Sequence, residues 1–145
     1  MVSKEVVTIP GFTGGFGGRA WSPGLKVGPW LFMSGIVPLD YDTDTTAGRG
    51  PGTHITPGTI DPEAQWHQVL RNIKKIVEGA GGTMADIVVA NVFVTDMHFY
   101  YQYEYIRKEY FVEPYPVCTA LEVSSLVHPD WILEIEITAY IEERG

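Results

Sequence analysis

Few side chains in this sequence have the type and spacing to do chemistry. Cys118 is the single thiol among 145 residues. A thiol attacks as its thiolate, which a neighbouring cation favours and neighbouring carboxylates oppose. The other reading of a lone cysteine is a small, semi-buried hydrophobe. Several groupings exclude more than they offer. His54, His67, His98 and His128 show no paired ligand spacing, so no metal site is expected, and His67 is expected on a helix surface. Asp40, Asp42 and Asp44 open like a calcium loop. Thr45 stands where that loop needs its glycine, and Pro51 where it needs its closing glutamate. The run Gly14-Gly15-Phe16-Gly17-Gly18 lacks a strand before it and a helix after it, so it is not a phosphate cradle. No serine, histidine and acid grouping is recognisable.

The elements that must position any site follow from periodicity. Residues 6–9 form a short β-like run ended by Pro10-Gly11. Residues 30–37 are apolar throughout and predict a strand buried on both faces. A long connection rich in Asp, Thr, Gly and Pro spans residues 40–60, a length often found lining sites. Asp61 then caps a helix that has Pro62 at its first position. Trp66, Val69, Leu70, Ile73, Ile76 and Val77 recur at three- and four-residue spacing and give that helix one apolar stripe, closed by Gly79 and Gly81-Gly82. Residues 87–94 predict a second buried strand. Asp96 caps a second helix, expected to run to about Phe111 with Phe99, Tyr103, Ile106 and Tyr110 inward. In the last strand Leu133, Ile135, Ile137, Ala139 and Ile141 alternate strictly with Glu134, Glu136, Thr138, Tyr140 and Glu142. The order predicts a single α+β domain over residues 1–145, with both helices on one face of one sheet. The other sheet face then needs solvent or a neighbour, and four Trp, eight Tyr and six Phe favour self-association.

Charge narrows the partners. The formal net charge of -8, with no Lys/Arg run, disfavours nucleic acid and anionic membranes. A single cysteine cannot form an intrachain disulfide, and residues 1–5 begin no apolar run of signal-peptide length, so a cytoplasmic location is expected.

The motifs Leu31-Phe32-Met33-Ser34-Gly35, Glu63-Ala64-Gln65, Val69-Leu70-Arg71-Asn72-Ile73, Val92-Phe93-Val94-Thr95-Asp96, Tyr115-Pro116, Glu122-Val123 and Glu134-Ile135-Glu136 occur in an order that resembles the Rid family of imine/enamine deaminases. The resemblance runs from about Trp21 to the end. It implies a chorismate-mutase-like fold, a homotrimer, and a small-molecule site in each cleft between subunits. The implied activity is hydrolysis of imines or enamines, in some members within catabolic routes, with neither metal nor organic cofactor.

Carried onto this sequence, the resemblance makes Glu134 the glutamate that handles water and Ser34 the pocket serine, with Gly35 beside it. Trp21 stands where the family usually has a tyrosine. Glu104 stands for a pocket asparagine, and Cys118 for the arginine that grips a substrate carboxylate. A thiol cannot make that forked contact, so a substrate other than a simple imino acid is expected. Arg19, near Trp21, is considered as a replacement cation; its alternative is a solvated loop arginine. If Glu104 and Glu134 meet, one of them holds a proton at neutral pH and the two form an acid/base pair; otherwise they are separate surface glutamates. Two functions are thus expected from the sequence. One is a Rid-like enzyme acting on a small unsaturated amine, and the other is a non-catalytic binding or chaperone-like trimer of the same fold.

Overall fold

A computed structural model describes residues 2–8, 20–43, 45–47 and 60–143. Arg19, the Gly14 to Gly18 run, Asp44, His54 and most of the 40–60 connection lie outside the described residues. The elements in chain order are β1 (Glu5–Val7), β2 (Gly24–Val27), β3 (Trp30–Met33), β4 (Leu39–Asp40), β5 (Thr45–Thr46), α1 (Pro62–Gly79), β6 (Ile87–Val94), α2 (Met97–Tyr103), β7 (Ala120–Glu122) and β8 (Leu133–Tyr140). Strands β1-β2-β3-β8-β6-β7 form one mixed sheet in that order, and β4-β5 a small separate ladder. All pairs in the main sheet are antiparallel except β6 with β7, which α2 connects as a parallel pair.

Both helices cover the same sheet face. Helix α1 starts where Asp61 accepts a hydrogen bond from the Ala64 amide at 3.0 Å, with Pro62 next in line. Its stripe of Trp66, Val69, Leu70, Ile73, Ile76 and Val77 is fully buried. The stripe packs in one core with Leu31 and Met33 of β3, Ala90, Val92 and Val94 of β6, and Leu133, Ile135, Ile137 and Ala139 of β8. Two polar side chains inside that core fasten the layers. Gln65 donates to the Asp130 carbonyl at 2.8 Å and accepts from the Ile132 amide at 2.9 Å. Asn72 donates to the carbonyls of Val37 and Leu39 at 3.0 and 2.8 Å. Each pairs backbone groups that strands do not, which is what makes their burial tolerable.

Three expectations are corrected. Residues 30–37 are not a strand buried on both faces: Leu31 and Met33 point into the core, whereas Trp30 and Phe32 lie on the open face and are 39% and 47% exposed. The apolar run reflects two different apolar surfaces, only one of them covered by helices. The second helix stops at Tyr103, and residues Glu104–Glu109 wind as a 3-10 turn. His67 is not a plain surface residue, because its Nδ1 meets the Tyr110 hydroxyl at 2.7 Å and ties α1 to the chain after that turn.

Candidate functional site

The first group of expected site residues forms where β3 leaves the sheet. Phe32 pairs with Thr138, but the next bridge joins Ile36 to Ile135, so four residues on one side span three on the other. Such an irregularity re-aims side chains and is frequent beside active sites. Ser34 uses it to turn inward: its amide bonds the Pro23 carbonyl at 2.8 Å and its hydroxyl donates to the Ser22 carbonyl at 2.7 Å. That hydroxyl ties the segment following the half-exposed Trp21 to the end of β3. Gly35 lies against Glu134. A Cβ on Gly35 would fall 1.7 Å from Glu134 Oε1, so the carboxylate occupies the space a side chain would need.

Glu134 projects from the face opposite its core neighbours Leu133 and Ile135 and is half-buried. Burial first, and the like charge of Glu136 second, raise its pKa above the ordinary carboxylate range. Tyr41 belongs to the same neighbourhood. Its phenol is pushed up to about 12, chiefly by burial and then by the negative charge of Glu134. A carboxylate that holds its proton more tightly than usual is a better base once ionised.

The second group lies on the helix side of the sheet, at the edge formed by β7. A cavity of about 190 Å³ opens there. Buried Ala90 and Phe111 line it with Tyr115 and Pro116; Glu104, Arg107 and Lys108 supply charge, and Cys118 faces it from the strand side. The neighbour at the Cys118 sulfur is a guanidinium, with Arg107 Nη1 donating to Sγ at 3.3 Å. Arg107 also donates from Nη2 to Glu104 Oε2 at 2.5 Å and to the Tyr100 hydroxyl at 3.0 Å, and from Nε to the Glu104 carbonyl at 3.2 Å. Burial opposes its charge, yet the bonds to Glu104 and Tyr100 together outweigh burial and raise its pKa.

Sequence reasoning missed Arg107. In a continuous α-helix it reads as a surface cation. In the 3-10 turn, residues three apart eclipse one another, so Glu104 and Arg107 face the cavity together. The basic residue three positions after Glu104 was the available signal. Within one chain the structure brings Glu134 together with Gly35, next to Ser34, and brings Glu104 together with Cys118. It does not bring the two groups together, because they occupy opposite faces of the sheet, and Glu104 has Arg107 rather than Glu134 as its partner. Among the described residues no three His, Cys, Asp or Glu side chains converge to hold a metal ion.

Fold and site define the class: a single-sheet α+β protein with a half-buried glutamate on one sheet face and a cation-lined pocket at the other. The family model described as endoribonuclease L-PSP matches residues 18–141. A RutC family protein of Pyrococcus horikoshii is 36% identical over 122 residues, 84% of this chain and 87% of that protein. A RutC family protein of Sulfurisphaera tokodaii is 35% identical over 117 residues, covering 81% and 84%. Among solved structures, RidA from an Antarctic Psychrobacter is 31% identical with a TM-score of 0.70, covering 86% of this chain and 90% of that one. A conserved Rid family protein from Yersinia pestis is 26% identical with a TM-score of 0.77, covering 96% and 100%. The chain belongs to this endoribonuclease L-PSP family, the YjgF/Rid proteins.

Proposed function

We propose that this protein is a cofactor-free enzyme of the deaminase/hydrolase type, acting on a small imine, enamine or related unsaturated amine. The observation that carries the reading is the Glu134 carboxylate, seated against Gly35 with its pKa raised by burial. In the proposed reaction Glu134 takes a proton from water while the water oxygen bonds to the carbon of a C=N group. Glu134 passes that proton to the nitrogen, then moves the hydroxyl proton of the adduct to the nitrogen as the C–N bond breaks, which releases ammonia and leaves a carbonyl. The substrate lies between subunits of a homotrimer, where Glu134, Ser34, Gly35 and Trp21 of one chain face Glu104 and Cys118 of another. The separation of the two groups within one chain supports this arrangement, as does the sheet face that no described helix covers. Arg19, two residues before Trp21 in the sequence, is assigned to the same cleft as a supplementary cation.

The endoribonuclease description of the family is not carried over, because a net charge of -8 opposes binding of a phosphate backbone. One observation favours the second reading, a non-catalytic small-molecule-binding trimer: the pocket cation Arg107 is already neutralised by Glu104. The deciding experiment screens small imines and enamines generated in situ for ammonia release, then compares Glu134→Gln and Cys118→Ser on the best substrate. General-base loss lowers the rate about 10²–10⁴-fold, so Glu134→Gln should fall that far and Cys118→Ser much less. Near-parental activity of a folded Glu134→Gln variant removes Glu134 from the mechanism.

A further inference from the structure

The end of the 3-10 turn is fastened to α1, a helix that carries none of the expected site residues. Tyr110, the residue after the turn, donates its amide to the Arg107 carbonyl at 3.0 Å, and the Phe111 amide donates to the same carbonyl at 2.8 Å. The Arg107 backbone is thus tied directly to Tyr110. The Tyr110 hydroxyl meets Nδ1 of His67 at 2.7 Å, with the two ring centres 5.8 Å apart. The His67 side chain is only 24% exposed, and Tyr110 packs against the edge of the core. Ile106 and Phe111 anchor the same segment by burial, but apolar contact is non-directional. A hydrogen bond adds a preferred distance and angle. This one forms with the ring in either state. A neutral nitrogen accepts from the phenol; a protonated one donates to the phenol oxygen, with the Glu109 carboxylate 4.0 Å away.

We propose that His67 is a positioning residue for Arg107. Through Tyr110 it sets the rotation of the 3-10 turn, and the turn sets the guanidinium against the Cys118 sulfur, 3.3 Å from Nη1. The path runs from α1 to a cavity that no α1 side chain lines. The assignment bears on catalysis through the reading that Glu104 and Cys118 face the substrate cleft, whereas the geometry itself is tested without a substrate.

Cys118 reports where Arg107 sits. The thiol is exposed, so access does not limit its reactions. A neighbouring cation favours the reactive thiolate and a carboxylate opposes it, so displacing Arg107 and leaving Glu104 in place slows alkylation. The measurement is the rate of alkylation of the full chain by iodoacetamide, a neutral reagent, at neutral pH. Arg107→Met should slow the reaction about two- to fivefold, the scale of a partly exposed charge contact. Tyr110→Phe, which removes only the hydroxyl, should slow it by a comparable factor. His67→Leu should do the same, and His67→Asn, whose amide can keep the Nδ1 contact, should restore most of the rate. Adding Tyr110→Phe to Arg107→Met should slow it no further, because the tether acts through the guanidinium. If Tyr110→Phe fails to fold, the two His67 variants decide. A parental rate in folded Tyr110→Phe or His67→Leu, equal rates in His67→Leu and His67→Asn, a further fall in the double variant, or an unchanged rate in Arg107→Met overturns the proposal. The assay uses no substrate and leaves Glu134 intact, so its failure and a failure to find ammonia release are separate results.

Discussion

Glu134 and Gly35 act as a unit at the residue scale. The glycine is required here by space and not by backbone conformation: any Cβ meets the Glu134 side chain. Gly35→Ala should fold, because the end of a side chain can swing away, but the carboxylate must move. Activity on the substrate found by screening should fall about 10–100-fold, since displacement near 1 Å costs that much, while the melting temperature changes little. An unchanged rate would mean that the position of the carboxylate is not critical. The raised pKa gives a second expectation. Folding strengthens the hold of Glu134 on its proton, so its contribution to stability is fully present below the ordinary glutamate range and lost as pH rises through its own higher pKa. Glu134→Gln should therefore melt above the parent at pH 7, with the difference closing towards pH 4. The rate profile of the parent should lose activity on its acid side at a pH above the ordinary glutamate value. A parent that melts above Glu134→Gln at pH 7 would contradict the burial argument.

At the scale of elements, Gln65 and Asn72 decide where the site-bearing segments lie. Gln65 holds the chain just before β8, three residues from Leu133, and Asn72 holds the carbonyls that follow Ile36. Gln65→Leu takes the side-chain partner from the buried Ile132 amide and from the part-buried Asp130 carbonyl. At about 1–3 kcal/mol for each unsatisfied group, thermal or denaturant unfolding should show a loss of about 2–4 kcal/mol. A loss below about 1 kcal/mol would mean that water replaces the side chain. The 3-10 turn after α2 acts at the same scale. It fixes Arg107 beside Glu104 and Cys118, so the pocket's charge is a property of how that turn winds.

Among the described residues, no helix covers the second face of the main sheet. Trp30 stacks near Phe32 at 6.4 Å and meets Tyr140 edge-on at 5.0 Å, all three partly exposed, with Leu121 and Val117 exposed further along. Exposed aromatic side chains clustered on a sheet face are the kind of surface that a neighbouring subunit covers. Light scattering should give about three chains per particle, the homotrimer proposed above. Phe32→Glu, which places a charge in the aromatic cluster without touching the helix-side core, should shift the particle towards monomer and abolish activity together with it. A parent that is monomeric over a wide concentration range, or a Phe32→Glu variant that keeps full activity as a monomer, contradicts the shared-cleft proposal.

Much of this protein is written locally in its sequence. The stripe of α1, the Asp61 and Asp96 caps and the alternation of Leu133 with Glu134 are short-range patterns, imposed by helical and strand periods, and they suffice for an α+β sheet with two helices on one face. They also suffice to mark Glu134 as a polar-face residue, and the Rid-like order marks Gly35 as the glycine beside Ser34. Tertiary structure decided the rest, because the rest depends on non-local geometry. The extra residue between Phe32 and Ile36, which sets Gly35 against Glu134, is visible only once β3 is paired with β8. The apolar run of residues 30–37 could not say which of its faces the helices would cover. Arg107 reads as a solvated helix cation until the chain tightens after Tyr103 and the turn meets the segment leading into β7, which bears Cys118. Local periodicity specifies elements; which side chains share a pocket is settled by the register and winding of elements distant in sequence.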